Sequence, residues 1–440
     1  MKRLAVVGSG ISGLATAHAL AEDAQVSLFE AGPYFGGHAH TVDVTLDGPR
    51  GPLTHGVDTG FLVFNHRTYP NIVRLFAELG VETAASEMSF SVQVHEAGLE
   101  WSGSNLNSVF AQRSNLLSPR FLGMLRDILR FNRLATALAV RGDEAELAEP
   151  IADFLRREHF GAAFRDWYFL PMIGCIWSCP TDQMLQFPVG TMVRFCHNHG
   201  LIQVADRPQW HTVRGGARNY VERLLKAIPD ARLNTPVRSL RRLPPGHGSA
   251  GVMLSTDRGS ELFDDVVLAC HSDQSLALMA DASAAEREVL GAIRYHPNRA
   301  VLHTDTNVLP RRRLAWAAWN YARATDRGRE QAAVCLHYLI NRLQPLPWAQ
   351  PVIVSLNPDP ARPPAPDRVL GEYTYSHPVF DLPATRAQQR LPAIQGASHV
   401  WFCGAWTRYG FHEDGLMSAL DVVARLRRHW QREAPERAAA

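Results

Sequence analysis

Leu4-Ala5-Val6-Val7-Gly8-Ser9-Gly10-Ile11-Ser12-Gly13-Leu14 is the stretch that decides the fold. Residues 3–7 form a short apolar run, the pattern of a parallel strand buried on both faces. A glycine turn follows, then a helical pattern with Leu14, Ala17 and Leu20 on one face. A second strand, Val26-Ser27-Leu28-Phe29, ends at Glu30. Each part of this strand–turn–helix–strand unit has a physical reason. Gly8 permits the tight turn, Gly10 lets the backbone approach a pyrophosphate, and Gly13 lets helix and strand pack closely. The helix start, with Ile11 and Ser12, offers free N–H groups and partial positive charge to phosphates. Glu30 can accept hydrogen bonds from both ribose hydroxyls, and its charge disfavours a 2′-phosphate there. The unit predicts an α/β, Rossmann-like domain that binds a dinucleotide.

The rest of the chain sets the context. At 440 residues it is too long for one ordinary core, so two domains are expected. An apolar fraction of 46% predicts that most of it folds. A net charge of +2 gives no reason to expect nucleic acid as a partner. Lys2 and Lys226 are the only lysines. The six cysteines (Cys175, Cys179, Cys196, Cys270, Cys335 and Cys403) show no zinc-type pairing, so reduced thiols of a cytoplasmic protein are expected, with no metal. Met1-Lys2-Arg3 runs directly into a strand, so no signal peptide is expected. No run approaches the roughly 18 apolar residues of a spanning helix.

Further motifs point to the cofactor. After Glu30-Ala31 come Gly36-Gly37-His38 and then Gly56-Val57-Asp58-Thr59-Gly60-Phe61. Near the other end, Val400-Trp401-Phe402-Cys403-Gly404 reads as a strand running into a glycine, and His412-Glu413-Asp414-Gly415-Leu416 opens a helix. In these segments the chain resembles the flavin amine oxidase and phytoene desaturase superfamily. The resemblance implies FAD as cofactor, bound by a glutathione-reductase-type domain beside an α+β substrate domain. Residues 1–75, 211–275 and 395–440 would form the first, and 76–210 and 276–394 the second. It also implies that Gly36, Gly37 and His38 pass the phosphates, and that Thr59 and Gly60 lie near the flavin. Gly404 would lie near the pyrophosphate or ribityl chain, and Asp414-Gly415-Leu416 would present N–H groups to the flavin N1–O2 edge. Val213-Arg214-Gly215-Gly216 would lead the chain back into the cofactor domain. The Val237 backbone would meet the adenine, and Asp264–Ala269 would be the closing strand.

The chain departs from that pattern in places. Pro33 or Tyr34 and His38 stand where many members carry arginines, and His40 follows. These histidines read most simply as hydrogen-bond donors to phosphate or backbone. Amine oxidases of the superfamily hold a Lys–water pair near the flavin, and neither lysine here suits that task. No second glycine fingerprint follows a strand, so the electrons are expected to pass to oxygen or a quinone.

A closer resemblance rests on Phe169-Leu170-Pro171-Met172-Ile173…Ile176-Trp177-Ser178, Phe195-Cys196-His197-Asn198-His199-Gly200-Leu201, Arg207-Pro208-Gln209-Trp210, Trp319-Asn320-Tyr321, Asn341-Arg342-Leu343-Gln344 and Gly410–Gly415. These are similar to flavoproteins associated with cyclopropane-fatty-acid synthases, some of them desaturases of methyl-branched acyl chains in furan fatty acid synthesis. This implies a fatty-acyl substrate of a membrane lipid and a methyltransferase partner of the synthase type. An amine oxidase, a flavin-dependent double-bond isomerase and a non-catalytic partner of a synthase are the alternatives. His412, Glu413, Tyr409 and Tyr69 are the candidate catalytic residues, with positioning of the flavin-facing turn as the plainer role for the first two. Trp406 and Phe411 are expected beside them in the chamber. Phe160, Phe164, Trp167, Tyr168 and Ile176 suit either a core or an apolar tunnel. From Arg120 to Val140, Phe121, Leu125, Ile128, Leu129, Leu134 and Leu138 predict one helical face, and Arg126, Arg130 and Arg133 another. Such a helix either packs on the core or lies on the inner face of a membrane. Pro345–Pro366 reads as a strand between rigid loops, and the residues after Trp430 as a frayed tail.

Overall fold

The computed structural model describes residues 1–142, 144–177, 180–203, 207–243, 251–323 and 334–438. Ser178 and Cys179 lie outside the described residues. Five parallel strands form a sheet in the order Asp230–Arg232, Ala24–Phe29, Lys2–Val7, Asp265–Leu268, Val400–Phe402. Val6 sits opposite Leu28 on one side and Val267 on the other. Leu4, Ala5 and Val6 are fully buried, as a parallel strand covered on both faces requires. The sheet therefore closes only when the middle and the end of the chain return to its beginning. Asp265–Leu268, expected as the closing strand, is interior, and Val400–Phe402 forms that edge. An antiparallel sheet of Val237–Leu243, Gly251–Thr256 and Gly259–Phe263 lies beside it.

A second, seven-stranded sheet is built from Val369–Val379, Arg294–His303, Ile353–Leu356, Cys335–Leu339, Trp319–Ala322, Phe90–Val94 and Leu99–Ser102. Helices from the segment between Leu106 and Asn198 pack on it. The buried carboxylate of Asp58 fastens distant segments together. It accepts from Thr41 Oγ1 (2.5 Å), Ala217 N (2.9 Å) and Gln344 Nε2 (2.6 Å). Asp265 does the same at the base of the first sheet, taking the indole N–H groups of Trp401 (3.0 Å) and Trp430 (2.7 Å).

Two expectations change. The helix Pro119–Arg141 buries Phe121, Met124, Phe131, Ala135 and Leu138, while Leu129 is exposed and Leu134 only half-buried. Phe131 sets this rotation, because its ring meets Phe154, Phe160, Phe164 and Phe169 at 5.3–6.5 Å. The segment after Trp430 continues the final helix, His412–Ala438, anchored by the Trp430–Asp265 bond. Lys2 also reaches that helix, through Glu433 (2.5 Å). The proline-rich stretch does hold the strand Ile353–Leu356. Cys175, Cys196, Cys270, Cys335 and Cys403 are unbonded thiols.

Candidate active site

The glycine turn is built around one close approach. A Cβ on Gly13 would stand 1.8 Å from the Gly8 carbonyl oxygen, so only glycine lets the helix Ile11–Leu20 meet the strand before it. A Cβ on Gly10 would meet nothing within 4 Å. That space belongs to a cavity of about 920 Å³, which the turn residues from Gly8 to Ser12 help to line. The first helical bond, Leu14 N to Gly10 O (2.9 Å), leaves the N–H groups of Ile11, Ser12 and Gly13 ahead of it. No acid occupies the first turn to compete for that positive end.

Glu30 is already aimed. Its carboxylate accepts from Ser9 N (3.0 Å), Ser9 Oγ (2.5 Å) and Gly32 N (2.7 Å), and with Ala31 it lines the same cavity. Gly36 lies behind the wall and donates to Ser9 O (3.0 Å), while Gly37 and His38 form part of the wall. His38 Nε2 is buried without a hydrogen-bond partner among the described residues. An orphan imidazole nitrogen, three free N–H groups, an open glycine and a pre-set acid together suit the diphosphate and ribose of a dinucleotide.

Gly60, Val237 and Gly404 also line the cavity, as does Thr235 beside Val237. Thr59 does not; its hydroxyl bonds Tyr375 Oη at 2.6 Å. His40 is likewise tied to Tyr375 Oη, at 2.8 Å. Asp414, Gly415 and Leu416 stand back from the wall. Asp414 accepts from Phe411 N (3.0 Å), Gly415 N bonds Phe411 O (3.0 Å), and Leu416 is buried. The helix starts at His412, as expected. Its free N–H groups are those of His412, Glu413 and Asp414, not those of Gly415 and Leu416. Ser12 Oγ, bonded to Gly415 O (2.9 Å), locks the two helix starts side by side.

Of the four candidate catalytic residues, His412 and Tyr69 reach the wall. His412 stacks on Phe61 at 3.8 Å, and its Nε2 meets Tyr220 Oη at 2.8 Å. Burial, helped by nearby His38, pushes its pKa down to about 3, so the ring is neutral. Burial, with the charges of Asp414 and Glu413, raises the Tyr69 hydroxyl and keeps it protonated. Glu413 faces elsewhere. It accepts from Asn71 N (3.0 Å), Asn71 Nδ2 (2.6 Å) and Ile72 N (3.0 Å), which caps the helix Pro70–Glu78. Its carboxylate is engaged in that cap and does not line the cavity. Tyr409 stands outside the wall, whereas Trp406 and Phe411 are in it.

Beyond His412 the cavity becomes an apolar chamber. Tyr69, Trp101, Leu125, Ile128, Tyr168, Met172, Ile176 and Phe195 line it. Among the described residues of the wall, Glu30 is the only acid and Arg207 the only Lys or Arg. Lys2 is engaged at the base of the first sheet, and Lys226 caps the helix Arg218–Leu225.

Sequence reasoning missed His271 and His377. With His38 they form a cluster whose ring centroids lie 6.4 and 5.4 Å from His38. Burial first, then their mutual repulsion, holds His38 and His377 low, at about 4 and about 3; burial holds His271 at about 4. One signal was available for His271, which follows the carboxyl end of Asp265–Leu268, where parallel sheets bind ligands. No local pattern marks His377.

Residues 11–321 match the family of flavin containing amine oxidoreductases. No curated protein sequence matches the chain. The crystal structure of a CLA-producing fatty acid isomerase from P. acnes is similar, with a TM-score of 0.67 at 16% identity over 96% of this chain and 98% of that one. Putrescine oxidase bound to putrescine gives 0.64 at 16% over 97% and 98%. Cyclohexylamine oxidase from Brevibacterium oxydans IH-35A gives 0.62 at 15% over 97% and 99%. With the family match spanning most of the chain and the dinucleotide cradle intact, the protein belongs to the flavin containing amine oxidoreductase family and is an FAD-dependent oxidoreductase.

Proposed function

We propose that this oxidoreductase desaturates an acyl chain of a membrane lipid, a methyl-branched one in particular. The observation that carries the reading is the cavity itself, a single space of about 920 Å³ running from the glycine turn into an apolar, aromatic chamber. FAD supplies a hydride acceptor at N5. The chamber residues hold the chain and exclude water, while neutral His412 and protonated Tyr69 fix the geometry rather than ionise. One carbon loses a hydride and its neighbour a proton; overall, dioxygen or a quinone takes up the two electrons and two protons and leaves as hydrogen peroxide or quinol. Arg207, the one Lys or Arg among the described wall residues, suits the anionic end of such a substrate.

An amine substrate is less well served. Its ammonium would enter a wall whose only acid among the described residues, Glu30, is engaged beside the glycine turn, and neither lysine of the chain lines it. A double-bond isomerase is the second reading, supported by the likeness to the fatty acid isomerase. A methyltransferase of the cyclopropane-synthase type would supply a branched chain. Anaerobic incubation with branched-chain phospholipid tests the proposal. Flavin bleaching with loss of two hydrogens supports desaturation, and a shifted double bond at unchanged mass supports the isomerase instead.

A further inference from the structure

We propose that the surface made by the helix Leu106–Val109, the turn Arg113–Leu117 and the helix Pro119–Arg141 docks on an anionic lipid bilayer. The proposal rests on the lipid reading above and supplies its route of access. Once Phe131 sets the rotation of the long helix, its exposed row is Leu122, Arg126, Leu129, Arg133, Ala137 and Val140, at helical spacing. Leucine and arginine alternate along it, and no acid interrupts them. Ahead of the helix, Leu106 is 78% and Leu117 87% exposed. Proteins seldom leave so many large apolar side chains together in water without a partner.

The charge completes the pattern. From residue 105 to 141 there are six arginines (113, 120, 126, 130, 133 and 141) and one acid, Asp127, a formal balance of +5. Asp127 is buried, accepting from Gly161 N at 3.2 Å and lying 3.8 Å from Arg130, and Arg141 pairs with Glu146, so the exposed Arg113, Arg120, Arg126 and Arg133 carry the outward charge. A second copy of the chain would set these arginines against their own copies, so the surface is unsuited to self-association. Lipid phosphates satisfy the arginines while the leucines enter the acyl boundary.

The same elements form the cavity wall. Leu125, Ile128 and Asn132 line it from the long helix, and Val109 from the short one. Gly103 and Ser104, also in the wall, are exposed and lead directly to Leu106. The cavity therefore reaches the surface beside the leucines.

Flotation of the FAD-loaded protein with vesicles of stated composition tests this. Wild type should float with phosphatidylglycerol-containing vesicles, stay behind with pure phosphatidylcholine, and release as salt rises. Leu117→Asp/Leu129→Asp should bind about tenfold or more weakly, with an unchanged flavin spectrum and unchanged turnover of detergent-dispersed lipid. Leu370→Asp, at an exposed leucine of the second sheet, should bind as wild type. Equal binding by the double variant and wild type would overturn the proposal, as would a dimer that the double variant breaks. Vesicle binding without turnover of any lipid would keep the surface and sink the acyl-chain reading.

Discussion

Gly10→Ala separates folding from cofactor binding. In the protein alone, the new methyl group meets nothing within 4 Å, and Gly10 lies outside the positive-φ region. The protein without FAD should therefore fold with an unchanged melting temperature. With FAD, the same methyl group stands where the diphosphate crosses the helix start. Displacing it by about one methyl radius breaks about two charge-assisted bonds from the N–H groups of Ile11, Ser12 and Gly13. At about 1.5–3 kcal/mol each, the loss is about 3–6 kcal/mol, or roughly 10²- to 10⁴-fold in Kd. Titration of the flavin-free protein with FAD, followed by flavin fluorescence quenching, measures it. Gly13→Ala is the contrast, because its methyl group would sit 1.8 Å from the Gly8 oxygen and disrupt the fold itself. Equal FAD affinity in Gly10→Ala and wild type would refute the assignment of that space to the diphosphate.

Glu413→Ala should cost about 1–3 kcal/mol of stability by uncapping Asn71 and Ile72, and lower the melting temperature while FAD still binds; a large fall in kcat at unchanged stability would restore it as a base. Arg207→Gln should raise KM for an anionic acyl substrate by about tenfold or more with kcat little changed, and steady-state kinetics would show whether kcat falls instead. The neutral His38, His271 and His377 predict acid lability. Their native pKa values lie below the unfolded value of about 6.5, so the unfolded state binds more protons and stability falls as pH drops from about 6.5 towards 4. Each contributes a loss of about 2 kcal/mol by pH 5. Buried Asp58 and Asp414, raised to about 7, act oppositely: their stabilisation is present at low pH and lost as pH rises through about 7. Denaturant midpoints of wild type and His271→Gln between pH 7 and 5 isolate the histidine part; parallel curves would contradict it.

The dinucleotide unit was legible because its signals are local. Gly8, Gly10, Gly13 and Glu30 lie in one strand–turn–helix–strand stretch, and each type answers a backbone demand there. The chamber was harder to read, because Tyr168, Met172 and Leu125 come from separate helices and look like ordinary core residues along the chain. The long helix shows why. Phe121, Leu125 and Ile128 of the expected apolar stripe do face inward, but the aromatic ring cluster around Phe131 centres the buried face and leaves Leu129 outward. Glu413 was ambiguous in the sequence for a related reason. An acid beside a flavin-facing turn suggests catalysis, and only the fold brings Asn71 and Ile72 to its carboxylate. The His38–His271–His377 cluster draws on three segments that meet only in space.

The most direct test of the account is an anaerobic absorbance titration of the FAD-loaded protein with phospholipid vesicles, with and without methyl-branched chains, followed by mass spectrometry of the lipid. The account predicts bleaching of the visible flavin band with the branched lipid and a product lighter by two hydrogens. Bleaching by a small amine and by no lipid would contradict it.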